Sequence, residues 1–335
     1  MNAPVIRLEG LCKTFSPRRR LFGAARGGIR AVDDVTLSID AGMTMALVGE
    51  SGCGKSTTGR LILRLVEPTA GRILFESRDI TAAGAVEMHA VRRHMQIIFQ
   101  DPFGSMSPRR SIAQIVAEPL EAQGLIASPQ QQRDVVAQLL EKVGLSPDHM
   151  HRYPRQFSGG QRQRIGIARA ISVNPRFIVA DEPVSALDVS VQAQIVNLLQ
   201  DLQEQQNLSY LFISHDLAVV RHIADRVAVM YLGRIVEEGP KSQIFASPQH
   251  PYTHALLSAA PEPVLASRKQ RIILQGDVPS PSNVPSGCGF RTRCPLVQKL
   301  CSEQRPPLRT VAPGQLAACH FATPSPIQVT PALQL

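Results

Sequence analysis

The 335-residue chain contains no tryptophan, only four tyrosines and no long apolar run. So few aromatic residues argue against the platforms on which single-stranded nucleic acids stack their bases. No stretch reaches the roughly 18 apolar residues that a membrane-spanning helix needs. Residues 1–7 lack the apolar segment of a secretory signal peptide. We therefore expect a chain that stays in the cytosol, so any membrane-spanning part must come from other subunits.

What the chain does have is a basic charge and enough apolar residues for a large core. The formal net charge is +9, and 44% of the residues are apolar, which is typical of a globular protein of one large or two smaller domains. A basic balance suits an anionic membrane surface or nucleic acid. Because basic excess is common, it does not choose between these partners.

Short apolar segments alternate with amphipathic ones along most of the chain. Residues 5–48 are read as short strands interrupted by an arginine- and glycine-rich loop at 16–30. Buried strands are predicted at 43–48, 95–100, 177–180 and 210–213. Helices are predicted at 55–65, 111–123, 133–143, 158–172 and in a segment that includes 191–202. This alternation predicts an α/β fold with a mostly parallel sheet.

The composition changes near residue 259. Twelve of the 26 prolines lie in residues 259–335, and four of the six cysteines lie between residues 288 and 319. We therefore divide the chain into a domain of residues 1–258 and a Pro- and Cys-rich C-terminal extension of residues 259–335.

Residues 49–56 fit the pattern G-x-x-x-x-G-K-[ST], after a predicted strand and before a predicted helix, as the pattern requires. Its glycines let backbone N–H groups close around phosphate oxygens, and the helix start adds a favourable dipole. Lys55 is predicted to reach the β- and γ-phosphates, Ser56 to bind Mg²⁺, and Cys53 to be a small filler. The alternative, a chance glycine-rich turn, does not explain this context. The predicted phosphate-binding residues are Gly49, Glu50, Ser51, Gly52, Cys53, Gly54, Lys55, Ser56 and Thr57.

Polar side chains follow three of the predicted strands, at the edge of the sheet where open α/β proteins bind ligands. Asp181 is predicted to hold the metal's water shell, and Glu182 to orient the attacking water or take its proton. Gln100 is predicted to sense the γ-phosphate through Mg²⁺ or water. His215 is predicted to contact it by a direct hydrogen bond. The alternatives are an acidic pair that caps the sheet edge and a structural Gln and His.

A second glycine-rich loop, Ser158, Gly159, Gly160 and Gln161, lacks the lysine that a nucleotide site needs. Ser158 is predicted to cap a helix, and the glycines leave N–H groups open to an anion. Two incomplete cradles predict a site assembled from two chains, and therefore an ATP-driven dimer. The alternative is an ordinary helix cap without a ligand.

Together these motifs resemble the ATP-binding subunit of ABC transporters, over roughly residues 5–258. In that family residues 49–57 are the Walker A loop, Gln100 the Q-loop glutamine, and His215 the switch histidine. The remaining motifs are the signature Ser158, Gly159, Gly160 and Gln161, the Walker B pair Asp181 and Glu182, and the D-loop Ser185, Ala186, Leu187 and Asp188. Phe15 lies where the family places an aromatic that stacks on adenine, and Phe157 replaces the commoner leucine.

The resemblance implies a P-loop NTPase core with an antiparallel β-subdomain and a helical subdomain at about residues 101–172. It also implies ATP and Mg²⁺, the latter held by Ser56, Gln100 and Asp181. Two ATPase chains would sandwich two ATPs, so that Lys55 of one chain and Ser158 of the other grip the same nucleotide. Closure would move loops near Gln100 against the permease.

The resemblance narrows to the oligopeptide, dipeptide and nickel importer branch. Residues 101–109 resemble that branch's Q-loop extension, and residues 251–257, 287–295, Cys301 and 319–320 resemble its tail. The implied function is ATP hydrolysis that powers the import of di- or oligopeptides or related solutes. Dipeptides, longer peptides, glutathione and nickel chelates remain open.

This branch implies a set of partners and a location. The partners are a second ATPase subunit, either a related paralogue or an identical chain, two transmembrane permease subunits and an extracytoplasmic solute-binding protein. The chain would lie peripherally on the cytoplasmic face of the inner membrane, and no nucleic acid is expected. Two alternatives are a soluble ABC-type ATPase acting on nucleic acid or ribosomes, and a regulatory subunit whose partner hydrolyses ATP.

Four cysteines of the C-terminal extension, Cys288, Cys294, Cys301 and Cys319, have the spacing C-x5-C-x6-C-x17-C. In a cytosolic chain they favour metal over disulfides. They lack the C-x2-C pairs of structural zinc sites. Four thiolates suit a [4Fe–4S] cluster, which some members of the resembled branch carry. The alternative is four reduced, unliganded cysteines in a docking tail.

Overall fold

The computed structural model describes residues 4–16, 28–101, 103–259 and 272–323. Most of the predicted arginine-rich loop, Pro102 of the 101–109 motif, and parts of the proline-rich extension lie outside these residues. The chain divides into two compact units. The first unit holds the described parts of Met1–Ile6, Ser38–Thr44 and Leu74–Ser214, and the second those of Arg7–Leu37, Met45–Ile73 and His215–Leu335.

Strands and helices alternate along the described chain. The strands are β1 (Pro4–Phe15), β2 (Ile29–Asp40), β3 (Thr44–Val48), β4 (Ala70–Phe75), β5 (Arg78–Asp79), β6 (Met95–Ile98), β7 (Phe177–Asp181), β8 (Ser209–Ser214), β9 (Arg226–Tyr231), β10 (Arg234–Pro240), β11 (Arg309–Ala312) and β12 (Gln315–Ala317). The helices are α1 (Lys55–Ile62), α2 (Ala85–His94), α3 (Ile112–Ala122), α4 (Pro129–Lys142), α5 (Gly159–Ile171), α6 (Val189–Gln206), α7 (Leu217–Ile223), α8 (Lys241–Ala246), α9 (Pro251–Ala259) and α10 (Lys299–Glu303). Short 3-10 turns cover Pro147–His151 and Pro154–Gln156.

In the first unit, β6, β7 and β8 are neighbouring parallel strands. Ile98 pairs with Ala180, and Asp181 pairs with Ile213. Every residue of β7 and β8 is buried, as expected of parallel strands covered on both faces. These three strands lie within two residues of the predicted bounds, and they confirm the α/β class.

Helices α3, α4 and α5 of the first unit begin at serine side-chain caps. Ser111 caps α3 in a capping box with Gln114, and Ser128 caps α4, whose first residue is Pro129. Serine at the cap and proline at the first helical position both favour this start, so α4 begins four residues before the predicted bound. On α6 the side chains of Ile195, Leu198, Leu199 and Leu202 lie on one face and are buried.

In the second unit, β3 runs parallel to β9, which pairs antiparallel with β10. Strand β10 pairs antiparallel with β12, and β12 with β11. A second group of neighbouring strands is β2, β1 and β4. The sequence had predicted neither β9–β12 nor the short helices around them. The predicted short strands of residues 5–48 include two, β1 and β2, that are twelve residues long.

The core of the second unit combines the P-loop strand with the C-terminal extension. Phe290 of the extension is 1% exposed and belongs to one cluster with Ala46 and Val48 of β3. Its ring lies 5.3 Å from that of Tyr231 and 5.5 Å from that of Tyr252, measured between centroids. Burial of such large aromatic side chains fixes this part of the extension on the strands beside β3.

A buried carboxylate anchors the start of α9. Glu237 of β10 is fully buried and accepts hydrogen bonds from the backbone N–H groups of Gln249 (2.7 Å) and His250 (2.8 Å) and from the Gln315 amide (2.8 Å). A negative charge at a helix start also matches the helix dipole. Glu237 therefore joins β10, β12 and α9.

The neighbouring His250 makes stability depend on pH. Burial, with a smaller contribution from His254, lowers the pKa of His250 to about 3. Its Nδ1 accepts the Tyr252 N–H at 3.1 Å. The unfolded chain binds a proton at this histidine below about pH 6.5 while the folded chain stays neutral. Stability from this group is therefore lost as pH falls from about 6.5 to about 3, by up to about 1.4 kcal/mol per pH unit.

We expect His250→Asn to be less stable at neutral pH but to lose less stability per pH unit between about 6 and 4. The asparagine oxygen replaces the acceptor but does not titrate in this range. Urea unfolding midpoints at several pH values measure the slope, and the same change at the exposed His89 is the control. Equal slopes for wild type and His250→Asn would contradict a neutral buried His250.

Among the described helices, none combines the length and the apolar character needed to cross a bilayer.

Candidate nucleotide-binding site

The phosphate loop lies in the second unit between β3, whose residues are all buried, and α1. Gly49 has a φ of +153°, and a Cβ there would lie 2.2 Å from the carbonyl oxygen of Met230. Gly54 has a φ of +109°, and a Cβ there would lie 2.2 Å from the carbonyl oxygen of Ala31. Only glycine fits both positions, so the loop's tight path follows directly from its sequence.

Lys55 is held against the loop by backbone carbonyls. Its Nζ donates to the oxygen of Gly49 at 2.8 Å and to that of Glu50 at 3.0 Å, and the residue is 5% exposed. Helix α1 begins at Lys55, so the N–H groups of its first turn have no intrahelical acceptor. A fixed ammonium group at the start of a helix suits an anion.

Cys53 and Phe15 differ in exposure. Burial raises the pKa of the Cys53 thiol, so it packs as a small neutral side chain. Phe15 ends β1, is 41% exposed, and has the Lys13 Nζ 5.2 Å from its ring centroid. Its exposed face is free to stack on a base, which is the role predicted for it.

In the first unit, the structure brings Gln100 and Glu182 together. They follow the adjacent parallel strands β6 and β7, and the Gln100 Nε2 donates to the Glu182 Oε2 at 2.9 Å. Asp181, the last residue of β7, is 4% exposed. The paired carboxyl ends thus place the Gln100 amide against the Glu182 carboxylate, which is more accessible than that of the preceding Asp181.

Glu182 has a backbone conformation that is rare outside glycine. Its φ is +47°, and its N–H donates to the Ile213 carbonyl at 3.0 Å. The Ser185 hydroxyl of the D-loop donates to the Glu182 carbonyl at 3.1 Å. Left-handed backbone at such a residue costs about 1 kcal/mol or more and is concentrated at functional sites. The surrounding bonds therefore hold this carboxylate in a fixed direction.

The signature residues form the start of α5. Ser158 and Gln161 make a reciprocal capping box, with N–H···O distances of 3.0 and 3.3 Å. A Cβ on Gly160 would lie 2.5 Å from the Val191 side chain. A Cβ on Gly159 would lie 3.3 Å from Leu187 of the D-loop. The signature and the D-loop are therefore neighbours in the first unit, which the sequence did not predict.

The D-loop leads into α6, and the switch histidine follows β8. Asp188 precedes the first residue of α6, Val189, whose side chain is 81% exposed. His215 is exposed at the end of β8, and Asp216 caps α7 by accepting the Ala218 N–H at 2.8 Å. Phe157, at the position of the commoner leucine, is 4% exposed and packs edge-on to His149 at 5.3 Å between ring centroids.

Two contacts to the phosphate loop were missed by the sequence reasoning. The Glu50 N–H donates to the Tyr252 hydroxyl at 2.8 Å. Arg293 makes two hydrogen bonds to the Glu50 carboxylate, at 2.8 and 3.1 Å. Nothing in the local sequence indicates these partners, because both lie about 200 or more residues from Glu50.

Two family models match the sequence. The model for ABC transporters matches residues 32–185, and the model for the C-terminal region of oligopeptide/dipeptide transporters matches residues 236–301. A probable peptide ABC transporter ATP-binding protein of Sinorhizobium fredii is 50% identical over 325 residues, which are 97% of this chain and 92% of that protein. The chain belongs to the family of ABC transporter ATP-binding proteins.

Further relatives of this ABC ATPase agree with that assignment. The oligopeptide transport ATP-binding protein AppF of Bacillus subtilis is 49% identical over 95% of this chain and 97% of its own length. Among solved structures, the ATP-binding cassette MJ0796, a dimer bound to ADP and Pi, has a TM-score of 0.63 and 28% identity. The aligned region covers 70% of this chain and 98% of the MJ0796 chain. These likenesses confirm the P-loop NTPase fold.

Proposed function

We propose that this ABC ATPase hydrolyses ATP to power the import of peptides across the cytoplasmic membrane. The observation that carries the proposal is the joint presence of an ABC transporter match and an oligopeptide/dipeptide transporter C-terminal match in one chain. The named relatives that align with nearly its whole length are peptide or oligopeptide transport proteins. The solute is of the di- or oligopeptide class.

The site residues divide the work of ATP hydrolysis among binding, metal retention and proton transfer. Lys55 and the loop N–H groups bind the phosphates, while Phe15 stacks on the adenine ring. Glu182 orients the attacking water and takes its proton, Gln100 holds the Glu182 carboxylate, and His215 hydrogen-bonds the γ-phosphate.

Each residue predicted to hold Mg²⁺ carries an oxygen that suits this ion. Asp181 offers a carboxylate and Gln100 and Ser56 offer neutral oxygens, which are the ligand types Mg²⁺ prefers. When bound, the ion neutralises phosphate charge. Asp181 is the last residue of β7, so the strand fixes the position of this residue. Its role is to hold the water shell of the metal.

The active form is a dimer on the cytoplasmic face of the membrane. Ser158, Gly159, Gly160 and Gln161 lack a lysine of their own and serve the ATP bound by a second ATPase chain, identical or paralogous. The exposed Val189 beside the D-loop suits burial against that chain. Two permease subunits and a solute-binding protein complete the transporter. Residues 1–258 form the ATPase domain, with a helical subdomain at about 101–172, and residues 259–335 the extension.

Copurification tests this function against the rival reading. The tagged full chain is purified from gently solubilised membranes, and the bound proteins are identified. We expect permease subunits and an ATPase partner in stable proportion. Recovery with ribosomes or DNA instead, and no permease, would contradict the transport function and favour a soluble ATPase acting on nucleic acid.

We further propose that Cys288, Cys294, Cys301 and Cys319 hold a [4Fe–4S] cluster. All four are free thiols, and the Cys288 N–H donates to the Cys301 carbonyl at 2.8 Å. Burial, with smaller contributions from nearby Cys319, Cys288 and Cys301, raises the pKa of Cys294 to about 12. Within the described residues, however, no three His, Cys, Asp or Glu side chains stand in metal-holding positions. Loading would therefore require side-chain rotation.

Anaerobic purification tests the cluster. We expect iron and acid-labile sulfide in equal, stoichiometric amounts, and their loss in Cys294→Ser because one of the four thiolate ligands is removed. Cys12→Ser, a change outside the set, is the control and should keep both. An iron-free wild-type protein with four intact thiols after anaerobic purification would contradict the cluster and leave the ATPase assignment untouched.

A further inference from the structure

The phosphate loop contains a glutamate although its ligand is a polyanion. Glu50 directly follows Gly49, and its carbonyl accepts a hydrogen bond from Lys55. An uncompensated carboxylate at this position would repel the phosphates of ATP and lower its affinity. A partner that neutralises Glu50 and holds its carboxylate in place therefore favours ATP binding.

Arg293 is that partner. Its two terminal nitrogens donate to the two carboxylate oxygens of Glu50, at 2.8 and 3.1 Å. The Arg293 side chain is 9% exposed and that of Glu50 is 27% exposed, so water screens the pair only partly. A two-pronged, partly buried arginine–carboxylate contact is both strong and directional. It fixes the orientation of Glu50 as well as its charge.

A second contact holds the backbone of the same residue. The Glu50 N–H donates to the hydroxyl of Tyr252, a residue with no exposed surface. This N–H is therefore turned toward α9. Tyr252 packs against Tyr231 and Phe290. The same aromatic cluster therefore positions both the Tyr252 hydroxyl and the segment that contains Phe290 and Arg293.

The C-terminal extension borders the loop on a second side. Val278, Pro279, Ser280 and Pro281 line a cavity of about 230 Å³ together with residues 50–53. Arg293 itself lies in the segment between Cys288 and Cys294, two of the four clustered cysteines. The C-terminal extension thus lines one side of the phosphate loop. The ABC transporter match, at residues 32–185, does not include this extension.

We propose that Arg293 is a positioning residue for ATP binding, which acts through Glu50. Arg293 neutralises the Glu50 carboxylate and stabilises the conformation of the phosphate loop that binds the phosphates. The C-terminal extension is thereby part of the nucleotide-binding machinery. This inference rests on the proposed function only in taking ATP as the ligand of the loop.

The test measures ATP affinity, KM and kcat for the full chain in its purified complex. We expect Arg293→Ala to raise the ATP dissociation constant and KM by roughly tenfold, the scale of one charge-assisted hydrogen-bonded contact, with kcat changed much less. Arg293→Lys should recover part of the affinity, because it restores the charge without the two-pronged geometry. Arg291→Ala is the matched control, since Arg291 lies in the same segment but contacts Ser286.

A double substitution separates charge neutralisation from simple packing. We expect Glu50→Gln combined with Arg293→Ala to bind ATP better than Arg293→Ala alone, because the repelling carboxylate is gone. An unchanged KM in Arg293→Ala, or an equal defect with and without Glu50, overturns the inference. So does a lowered unfolding midpoint with normal KM, which would mean a purely structural pair. A wild-type chain that does not bind ATP contradicts the proposed function itself.

Discussion

Glu182→Gln should lower kcat for ATP hydrolysis by about 10²–10⁴-fold while ATP affinity stays within a few-fold of wild type. The amide cannot take a proton from the attacking water, but it keeps the size of the side chain and one oxygen. That oxygen can still accept the Gln100 Nε2, which is 2.9 Å from the Glu182 Oε2. The local geometry therefore survives, and the loss falls on chemistry rather than on binding. Steady-state hydrolysis and equilibrium ATP binding on the same preparation measure both.

The control for this result is Glu204→Gln, the same change at an exposed position of α6. It should hydrolyse ATP at the wild-type rate. Hydrolysis near the wild-type rate in Glu182→Gln would remove Glu182 from the role of general base. Equal losses of kcat and affinity would instead assign it to binding.

Lys55→Met should abolish detectable hydrolysis and weaken ATP binding by about 100-fold or more, because a buried ammonium is worth several charge-assisted bonds to phosphate. Methionine fills a similar volume with no charge. Two bonds to the Gly49 and Glu50 carbonyls are also lost, so the loop loses the group that closes it. Calorimetric titration with ATP measures the affinity, and thermal unfolding without ATP checks that the variant folds.

Lys142→Met, at an exposed lysine at the end of α4, controls for the loss of one positive charge. It should bind ATP as wild type does. If folded Lys55→Met kept wild-type affinity, the loop at residues 49–57 would not be the phosphate site.

The sequence predicted strands β7 and β8 from their apolar centres, and it missed β10, which contains buried carboxylates. Residues 177–180 of β7 and 210–213 of β8 are uninterrupted apolar or aromatic runs, so the place of these strands was evident from the pattern alone. Strand β10 contains Glu237 and Glu238, and both are buried. Their partners are remote: Glu238 accepts from Arg226 at 2.9 Å, and Glu237 accepts from the start of α9. Buried carboxylates whose hydrogen-bond partners lie elsewhere leave no apolar signal in the local sequence.

The same distinction holds at the site. That Gln100 and Glu182 lie close together was predictable, because the carboxyl ends of parallel strands share one edge of a sheet. The Ser158 cap was predictable from its own four residues. The bond between Glu50 and Arg293 spans 243 residues and depends on how the extension packs. A single sequence does not encode such a pairing in any local pattern.

Peptide uptake in reconstituted vesicles tests the central claim most directly. The complex that copurifies with this chain is reconstituted in vesicles, and ATP is supplied on the side of the membrane where this chain lies. Uptake of a labelled di- or oligopeptide is then measured in the presence of the solute-binding protein. We predict uptake that requires ATP, peptide-stimulated hydrolysis, and loss of both with Glu182→Gln. Hydrolysis that is indifferent to peptide and permease, or uptake that continues with Glu182→Gln, would contradict the account.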